Sequence, residues 1–363
     1  VASTDGPIPR ATANPRAATS STQWDRYARQ MLYPAIARQG QQRLLASRAL
    51  VCGCGALGSI LASTLARAGV GHLRIVDRDF LEMNNLQRQM LFDEADVAAG
   101  LPKAVAAATK LRAINSEIEI EPIVADVNHQ NIAALCNGVD CIVDGTDNFE
   151  TRFLINDAAL KLEIPWVYGG CIGAEGQTLT ILPGETPCLR CMLEDSPPPG
   201  TTPTCDTAGI LAPIIGVIAS IQAMEAIKIL AGRRDAVSRS LTVIDLWTNM
   251  MRQVTVSTLK DSGGCETCGK RQFPWLSGQR GSATAVLCGR NAVQLSTTSS
   301  QGLSLVALEQ KLASVGRVTR NPFLLRLAVD DYVLTVFPDG RAIIGGTDDV
   351  AVAKTLYAKY IGA

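Results

Sequence analysis

Residues Arg48–Asn85 read RALVCGCGALGSILASTLARAGVGHLRIVDRDFLEMNN, and this stretch decides the fold. A short apolar run, Ala49–Cys52, enters a turn carrying Gly53, Gly55 and Gly58. An alanine-rich segment of helical character follows to about Ala68, then a second apolar run, Leu73–Val76, ends in Asp77. Strand, glycine turn, helix, strand and terminal acid make a nucleotide-binding βαβ unit. The first glycines permit a tight turn and close approach of backbone to phosphate, and Gly58 permits close helix packing. The helix N-terminus favours anionic oxygens. Asp77 stands 24 residues after Gly53, where an acid accepts hydrogen bonds from ribose hydroxyls.

Outward from this unit, strands and helices alternate. Strands are expected at Ile118–Val124, Asp140–Asp144 and Pro165–Tyr168, and helices at Leu101–Asn115, Asn128–Cys136 and Glu150–Leu162. That alternation predicts a Rossmann-like α/β fold, a mostly parallel sheet flanked by helices. Ligands bind such sheets beyond the carboxyl ends of the strands, so Asp77, Asp144 and Asp147 are expected to converge on one crevice. Further on, Gln177–Leu182, Leu241–Asp245 and Met250–Val256 read as strands and Ala212–Ala231 as a long helix. Ser196–Thr204 is a crossover rich in Pro, Gly and Thr. Before the unit, WDRYARQM reads as a short helix with Arg26 and Arg29 on one face, and residues 1–22 as a flexible tail, with a transit peptide as the rival reading. Gly281–Ala363 reads as a small α+β unit. Its strands are expected at Ala283–Cys288, Asn291–Leu295, Leu324–Val329, Tyr332–Phe337 and Ala342–Ile344, and its helices at Leu303–Ala313 and Asp349–Tyr360.

Composition narrows the function. The 363 residues carry 34 basic and 34 acidic side chains, so net charge argues for neither nucleic acid nor a membrane surface. The apolar stretch Ile210–Ile221 is too short to span a bilayer. Only His72 and His129 are present, and both read as structural or solvated, so a histidine base is not expected. Eleven cysteines without a signal-like apolar region point to a reducing cytoplasm rather than a secreted disulfide framework.

Four of those cysteines form two CxxC pairs, Cys188/Cys191 and Cys265/Cys268. Two such turns suit one structural Cys₄ zinc with no open position, and the alternatives are two unrelated pairs or a redox CxxC. Cys205 is the odd thiol, expected near a helix N-terminus that lowers its pKa, or else an ordinary loop cysteine. Cys52, Cys54, Cys136, Cys141, Cys171 and Cys288 read as buried small hydrophobes. Arg88 and Lys103 follow the second strand, and Asp147 follows the fourth. Two cations plus an acid suit ATP with Mg²⁺, the cations on phosphate and the acid on the metal. A nicotinamide dinucleotide needs no such set.

The motifs RYARQ, GCGALGS, VDRD, NNLQRQ, LPK, DGTDN with Arg152, PCLRC, CDTAG, APIIGVIASIQAMEAIKIL and CETCG occur in this order. From about Trp24 to Gly269 the chain resembles the E1-like adenylyltransferases of the MoeB/ThiF family, activators of ubiquitin-like sulfur carriers. The resemblance implies an adenylation domain over 23–269; beyond it the sequence itself reads as a linker over 270–280 and a small accessory unit over 281–363, which departs from the family pattern. It implies that the C-terminal glycine of a ubiquitin-like Gly-Gly protein attacks the α-phosphate of ATP. Asp77 would hold the ribose with Asp79 and Asn85 nearby, Arg88 and Lys103 the phosphates, and Asp147, next to Asn148, the Mg²⁺. Arg29 matches an arginine that acts in trans in a homodimer. Cys205 matches a thiol that in some members takes part in sulfur transfer or forms a thioester for conjugation, with a sulfurtransferase or an E2-like protein as the next partner. The accessory unit lacks a rhodanese-like loop around its lone Cys288, and docking of the carrier or a downstream partner is the expectation for it instead. The rival readings are an NAD-dependent oxidoreductase sharing the βαβ unit and a non-catalytic scaffold.

Overall fold

The computed structural model describes residues 22–197, 205–261, 264–281, 284–287, 291–295 and 303–362. The glycine turn lies in an eight-stranded sheet built from β1 (Arg48–Cys52), β2 (His72–Asp77), β3 (Glu119–Val124), β4 (Cys141–Asp144), β5 (Trp166–Ile172), β6 (Glu175–Ile181), β7 (Ser240–Asp245) and β8 (Met250–Thr255). The strand order is β3-β2-β1-β4-β5-β6-β7-β8. Pairings from β3 through β5 are parallel, and β6, β7 and β8 are antiparallel additions. The order reverses between β1 and β4, which opens the ligand crevice beyond their carboxyl ends.

Alternation along β1 supplies both cores. Ala49 and Val51 face one layer, with Leu57, Leu61, Ile214 and Ile218 of the helices Ala56–Ala68 and Ala212–Leu230. Leu50 and Cys52 face the other, with Phe153 and Ile155 of the helix Phe149–Leu162. A strand buried on both faces reads as a continuous apolar run, as this one does. The helix Ala212–Leu230 has 19 residues and is long and apolar enough to cross a membrane, which corrects the shorter expected stretch. Here it is a core helix. Its buried Gln222 donates through Nε2 to the carbonyls of Asp144 at 2.9 Å and Val167 at 3.2 Å.

The N-terminal basic helix is broken. Thr22–Asp25 and Ala28–Met31 are separate turns, and Tyr27, 1 % exposed, is driven inward between them. Its hydroxyl accepts from Asn115 Nδ2 at 2.8 Å. Arg26 and Arg29 therefore share no helical face: Arg26 Nη1 donates to the Ile114 carbonyl at 2.8 Å, while Arg29 is exposed.

A second, antiparallel sheet holds β9 (Thr284–Leu287), β10 (Ala292–Leu295), β11 (Arg317–Arg320), β12 (Leu325–Val329), β13 (Tyr332–Val336) and β14 (Ala342–Gly345), ordered β11-β12-β13-β14-β10-β9. Its apolar face, with Leu325, Leu327, Leu334, Val336, Ala342, Ile344, Val293 and Leu295, packs with Leu305, Leu308 and Leu312 of one helix, Leu305–Leu312, and Ala353 and Tyr360 of another, Val350–Tyr360. The strand β11 is additional to the expected set: RVTR has no apolar alternation, and it lies at the exposed edge. The segment joining the two sheets is anchored. Trp275 stacks on Phe153 at 5.5 Å, and its backbone N–H donates to Asp157 Oδ2 at 2.9 Å.

Candidate active site

The glycine turn is held by backbone. Gly53 has φ +82°, a left-handed conformation suited to glycine, and its N–H donates to the Val76 carbonyl at 2.8 Å. The helix Ala56–Ala68 starts against it so closely that a Cβ on Gly58 would lie 1.8 Å from the Gly53 carbonyl oxygen. Gly55, the N-cap, differs: a Cβ there would find only Gln89 Nε2, at 4.0 Å. The open side of the turn is thus at Gly55, where a phosphate can approach the helix N-terminus.

Asp77 ends β2 and braces this turn. Its Oδ2 accepts from the Cys54 N–H at 2.6 Å and its Oδ1 from the Asp79 N–H at 2.7 Å. Burial pushes the Asp77 carboxyl above its ordinary value, while the charge of Lys103 opposes the rise. Lys103 opens the helix Lys103–Ile114 behind Pro102, and its side chain is only 4 % exposed. Its Nζ lies 3.2 Å from Asp79 Oδ2.

Arg78, between the two acids, was not singled out in the sequence, although its place in VDRD marks it. Its Nη1 donates to Asp126 Oδ1 at 3.1 Å, and Nε lies 3.8 Å from Asp79 Oδ1. Burial works against the Arg78 charge, but Asp126, Asp79, Asp147 and Asp77 together raise its pKa. Asp77, Asp79 and Asp147 therefore share one electrostatic neighbourhood at the strand ends. Asp144 does not join them, contrary to expectation. It is fully buried and turned away into an ion pair with Arg152 Nε at 3.3 Å, and burial raises its pKa. Arg152 Nη2 also donates to the carbonyls of Thr146 at 2.8 Å and Gly169 at 3.1 Å, so this pair sets the loop that presents Asp147.

The remaining expected residues are placed as follows. Asp147 is exposed. Asn148 caps the helix Phe149–Leu162, accepting from the Thr151 N–H at 2.8 Å. Asn85 is 2 % exposed and spends its amide within its own loop, accepting from the Glu82 N–H at 3.2 Å and donating to Asn84 Oδ1 at 2.8 Å. Both asparagines shape loops with the groups expected to meet a ligand. Arg88 is half-buried, with Nη1 donating to the Asn84 carbonyl at 2.8 Å. Gln89 is buried beside the open face of Gly55 and its Oε1 has no partner, a further polar group turned towards this region. The Cys205 side chain lies outside the described residues, as does Cys288. Cys205 opens a four-residue helix, Cys205–Ala208, separated by Gly209–Leu211 from the long helix at Ala212. Cys171 is half-buried rather than buried, while Cys52, Cys54, Cys136 and Cys141 are buried.

On the far side of the helix Phe149–Leu162 the four CxxC sulfurs meet, all within 4.8 Å of one another. Sγ–Sγ distances are 3.8 Å for Cys188–Cys191, 3.6 Å for Cys188–Cys265 and 3.3 Å for Cys191–Cys268. Four thiolates at Zn–S distances of about 2.3 Å stand roughly 3.8 Å apart at tetrahedral corners, so the donor set fits Zn²⁺. Hydrogen bonding from Cys188 draws the Cys265 and Cys268 thiols below their ordinary value. The helix holds both arms: Asn156 Oδ1 accepts from the Leu189 N–H at 2.9 Å, and Asp157 Oδ1 from the Thr267 hydroxyl at 3.4 Å.

Known proteins are similar to this chain in sequence and fold. The ThiF family model matches residues 27–267. The sulfur carrier protein ThiS adenylyltransferase of Bacillus subtilis is 45 % identical over 339 residues, 93 % of this chain and 99 % of that protein. The SAMP-activating enzyme E1 of Haloferax volcanii is 40 % identical over 250 residues, 69 % of this chain and 90 % of that one. A likeness of 250 residues can stop with the first sheet, whereas one of 339 must run on into the second. Among solved structures, Escherichia coli MccB with ATP shares the fold, at TM-score 0.59 and 23 % identity over 67 % of this chain and 74 % of that one.

Proposed function

The chain belongs to the ThiF family, and on that premise we propose that it uses ATP to adenylate the C-terminal glycine of a ubiquitin-like sulfur-carrier protein. The observation that carries this reading is the lock between Asp79 and Lys103 beside the Asp77-braced glycine turn, on the strand ends of a ThiF-family fold. The relatives named for activating ThiS and SAMP supply the substrate class.

In this reading a carboxylate oxygen of the carrier attacks the α-phosphorus of ATP. The bond from that phosphorus to the bridging oxygen breaks, and pyrophosphate leaves with the electron pair. The attacking group is already ionised, so no general base is required. Positioning and charge compensation supply the catalysis. Each Asp77 oxygen accepts one backbone N–H and keeps acceptor capacity for ribose hydroxyls. Lys103 and Arg88 take phosphate oxygens, and Asn85 and Asn148 hold the loops around them. Asp147 would hold Mg²⁺, which when bound neutralises phosphate charge. The four cysteines would hold a structural zinc. Arg29 reaches a partner subunit's site in a homodimer, which the exposed Leu32, Tyr33, Met83 and Met90 near Arg29 and Arg88 support. In this reading the chain acts in the cytoplasm.

Incubation with ATP, Mg²⁺ and a Gly-Gly carrier should release pyrophosphate only when the carrier is present. Failure with every carrier tried, together with NADH binding, would overturn the reading. Cys205→Ala should still adenylate. A DTT-sensitive carrier adduct that disappears in this variant would mark thioester transfer on the way to an E2-like partner, and a thiocarboxylate product would mark transfer from a sulfurtransferase.

A further inference from the structure

The second sheet presents two unlike faces. One is the apolar face described above. On the other, cross-strand register aligns Arg326 with Thr335, Thr335 with Ile343 and Ile343 with Gln294. This row runs across β12, β13, β14 and β10, and Arg341 precedes β14 beside it. Such a face would normally meet water. Here Gln294, Thr335 and Arg341 are at most 3 % exposed.

What covers them is the rim of the nucleotide crevice. Arg341 Nη2 donates to the Arg78 carbonyl at 3.1 Å. Gln294 Nε2 donates to Asp126 Oδ2 at 2.8 Å, and the other oxygen of Asp126 holds the Arg78 guanidinium. Arg326 lies over the Phe80 ring at 3.8 Å. Asn321 Nδ2 donates to the Gly100 carbonyl at 2.9 Å, three residues ahead of Lys103. All four contacts land on segments that follow β2 and β3 or lead into Lys103. The sheet thus grips Arg78 by both its carbonyl and, through Asp126, its side chain. Arg78 adjoins both Asp77 and Asp79. Gln294 Oε1 and Arg341 Nη1 have no hydrogen-bond partner, and Arg341 Nε meets only Asp339 Oδ2 at 3.7 Å, so this face is not the cheapest way to seal a sheet.

We propose that the C-terminal sheet is a working part of the ATP site, with Arg341, Gln294 and Arg326 as positioning residues that hold Arg78, Asp79 and Lys103 in register for the nucleotide. The inference rests on the ATP reading above and deepens it. It assigns the part of this face around Arg341, Gln294 and Arg326 to the nucleotide site.

The test measures ATP affinity of the full chain by calorimetry, which needs no carrier, and then the KM values for ATP and carrier. Arg341→Ala and Gln294→Ala should weaken ATP binding and lower kcat/KM for ATP on the order of 10- to 100-fold. The carrier KM should stay unchanged, and Arg341→Lys should recover part of the loss. Because Arg341 and Gln294 are buried, Arg326→Gln, at a half-buried site, provides a variant with little folding risk, and thermal melts accompany each. Folded variants with wild-type ATP affinity would overturn the proposal, as would a change confined to the carrier KM. Sheet-dependent ATP binding without adenylation of any carrier would sustain it while sinking the function proposed above.

Discussion

Lys103 is joined to Asp79 twice, by its Nζ at 3.2 Å from Oδ2 and by its backbone N–H, which donates to the Asp79 carbonyl at 2.9 Å. The start of one helix and the end of β2 are thereby fastened at a single cation. Lys103→Met should lower ATP–pyrophosphate exchange on the order of 100-fold or more, the scale of removing one preorganised charge-stabilising group. Lys103→Arg should rescue little of it, since a planar fork does not replace a compact ammonium. Exchange assays with thermal melts would check this, and near-wild-type exchange in Lys103→Met would remove Lys103 from the phosphate site.

The two glycines of the turn should behave differently. At Gly58 an added methyl would meet the Gly53 carbonyl oxygen at 1.8 Å, so Gly58→Ala should destabilise the fold by about 1–3 kcal/mol or more. At Gly55 the same methyl has space, its nearest neighbour being Gln89 Nε2 at 4.0 Å. Gly55→Ala should therefore lose less stability than Gly58→Ala but bind ATP more weakly, because a methyl there would stand where the proposed phosphate approaches. Equal losses of stability in both variants would contradict this geometry.

Elemental analysis of the purified chain should find about one zinc per polypeptide. Cys191→Ser should lose it and melt at lower temperature, and a chelator should shift the wild type the same way. A metal-free wild type with an unchanged melt would remove the metal from the account.

Asp157 predicts a pH dependence. It is fully buried, and burial pushes its carboxyl up to about 6, with the Leu276 and Trp275 N–H groups pulling the other way. The folded state then holds a proton that the unfolded state, at about 3.9, has released. The resulting stability is present below about pH 4 and is lost as pH rises through about 6, at most ~3 kcal/mol in all. Between pH 5 and pH 7 the wild type should therefore lose stability relative to Asp157→Asn, as read from denaturant unfolding at each pH. A difference that does not vary with pH would show that Asp157 stays ionised.

Much of this was legible where local chemistry dominates. The glycine spacing, the acid at Asp77, Lys103 behind Pro102 and the paired CxxC turns each announce themselves within a few residues. Asp144 misled because a strand-end acid looks the same whether it faces a crevice or a buried arginine, and only the fold brings Arg152 to it. Tyr27 misled because a large side chain drawn inward breaks a helix that periodicity alone would continue. The grip of the second sheet was beyond reach: Gln294 and Asp126 are 168 residues apart, and Arg341 and Arg78 are 263 apart. Neither pair has a local pattern: Gln294, Asp126 and Arg341 each alone read as a surface polar residue, and VDRD marks Arg78 without naming a partner.

The four-cysteine cluster also sets an order of events during synthesis. Its two halves are separated by 73 residues that include Cys205 and the whole of the long helix. A ribosome delivers Cys188 and Cys191 first, and a metal bound by all four cysteines could not gain its last two ligands until Cys268 has emerged. By then every strand of the first sheet has been translated, and domains fold as units from the N-terminal side. Closing so long a loop early would be entropically costly. A metal held there would therefore be the last knot tied in the catalytic unit, and zinc starvation should then strand newly made chains whose glycine turn is already in place.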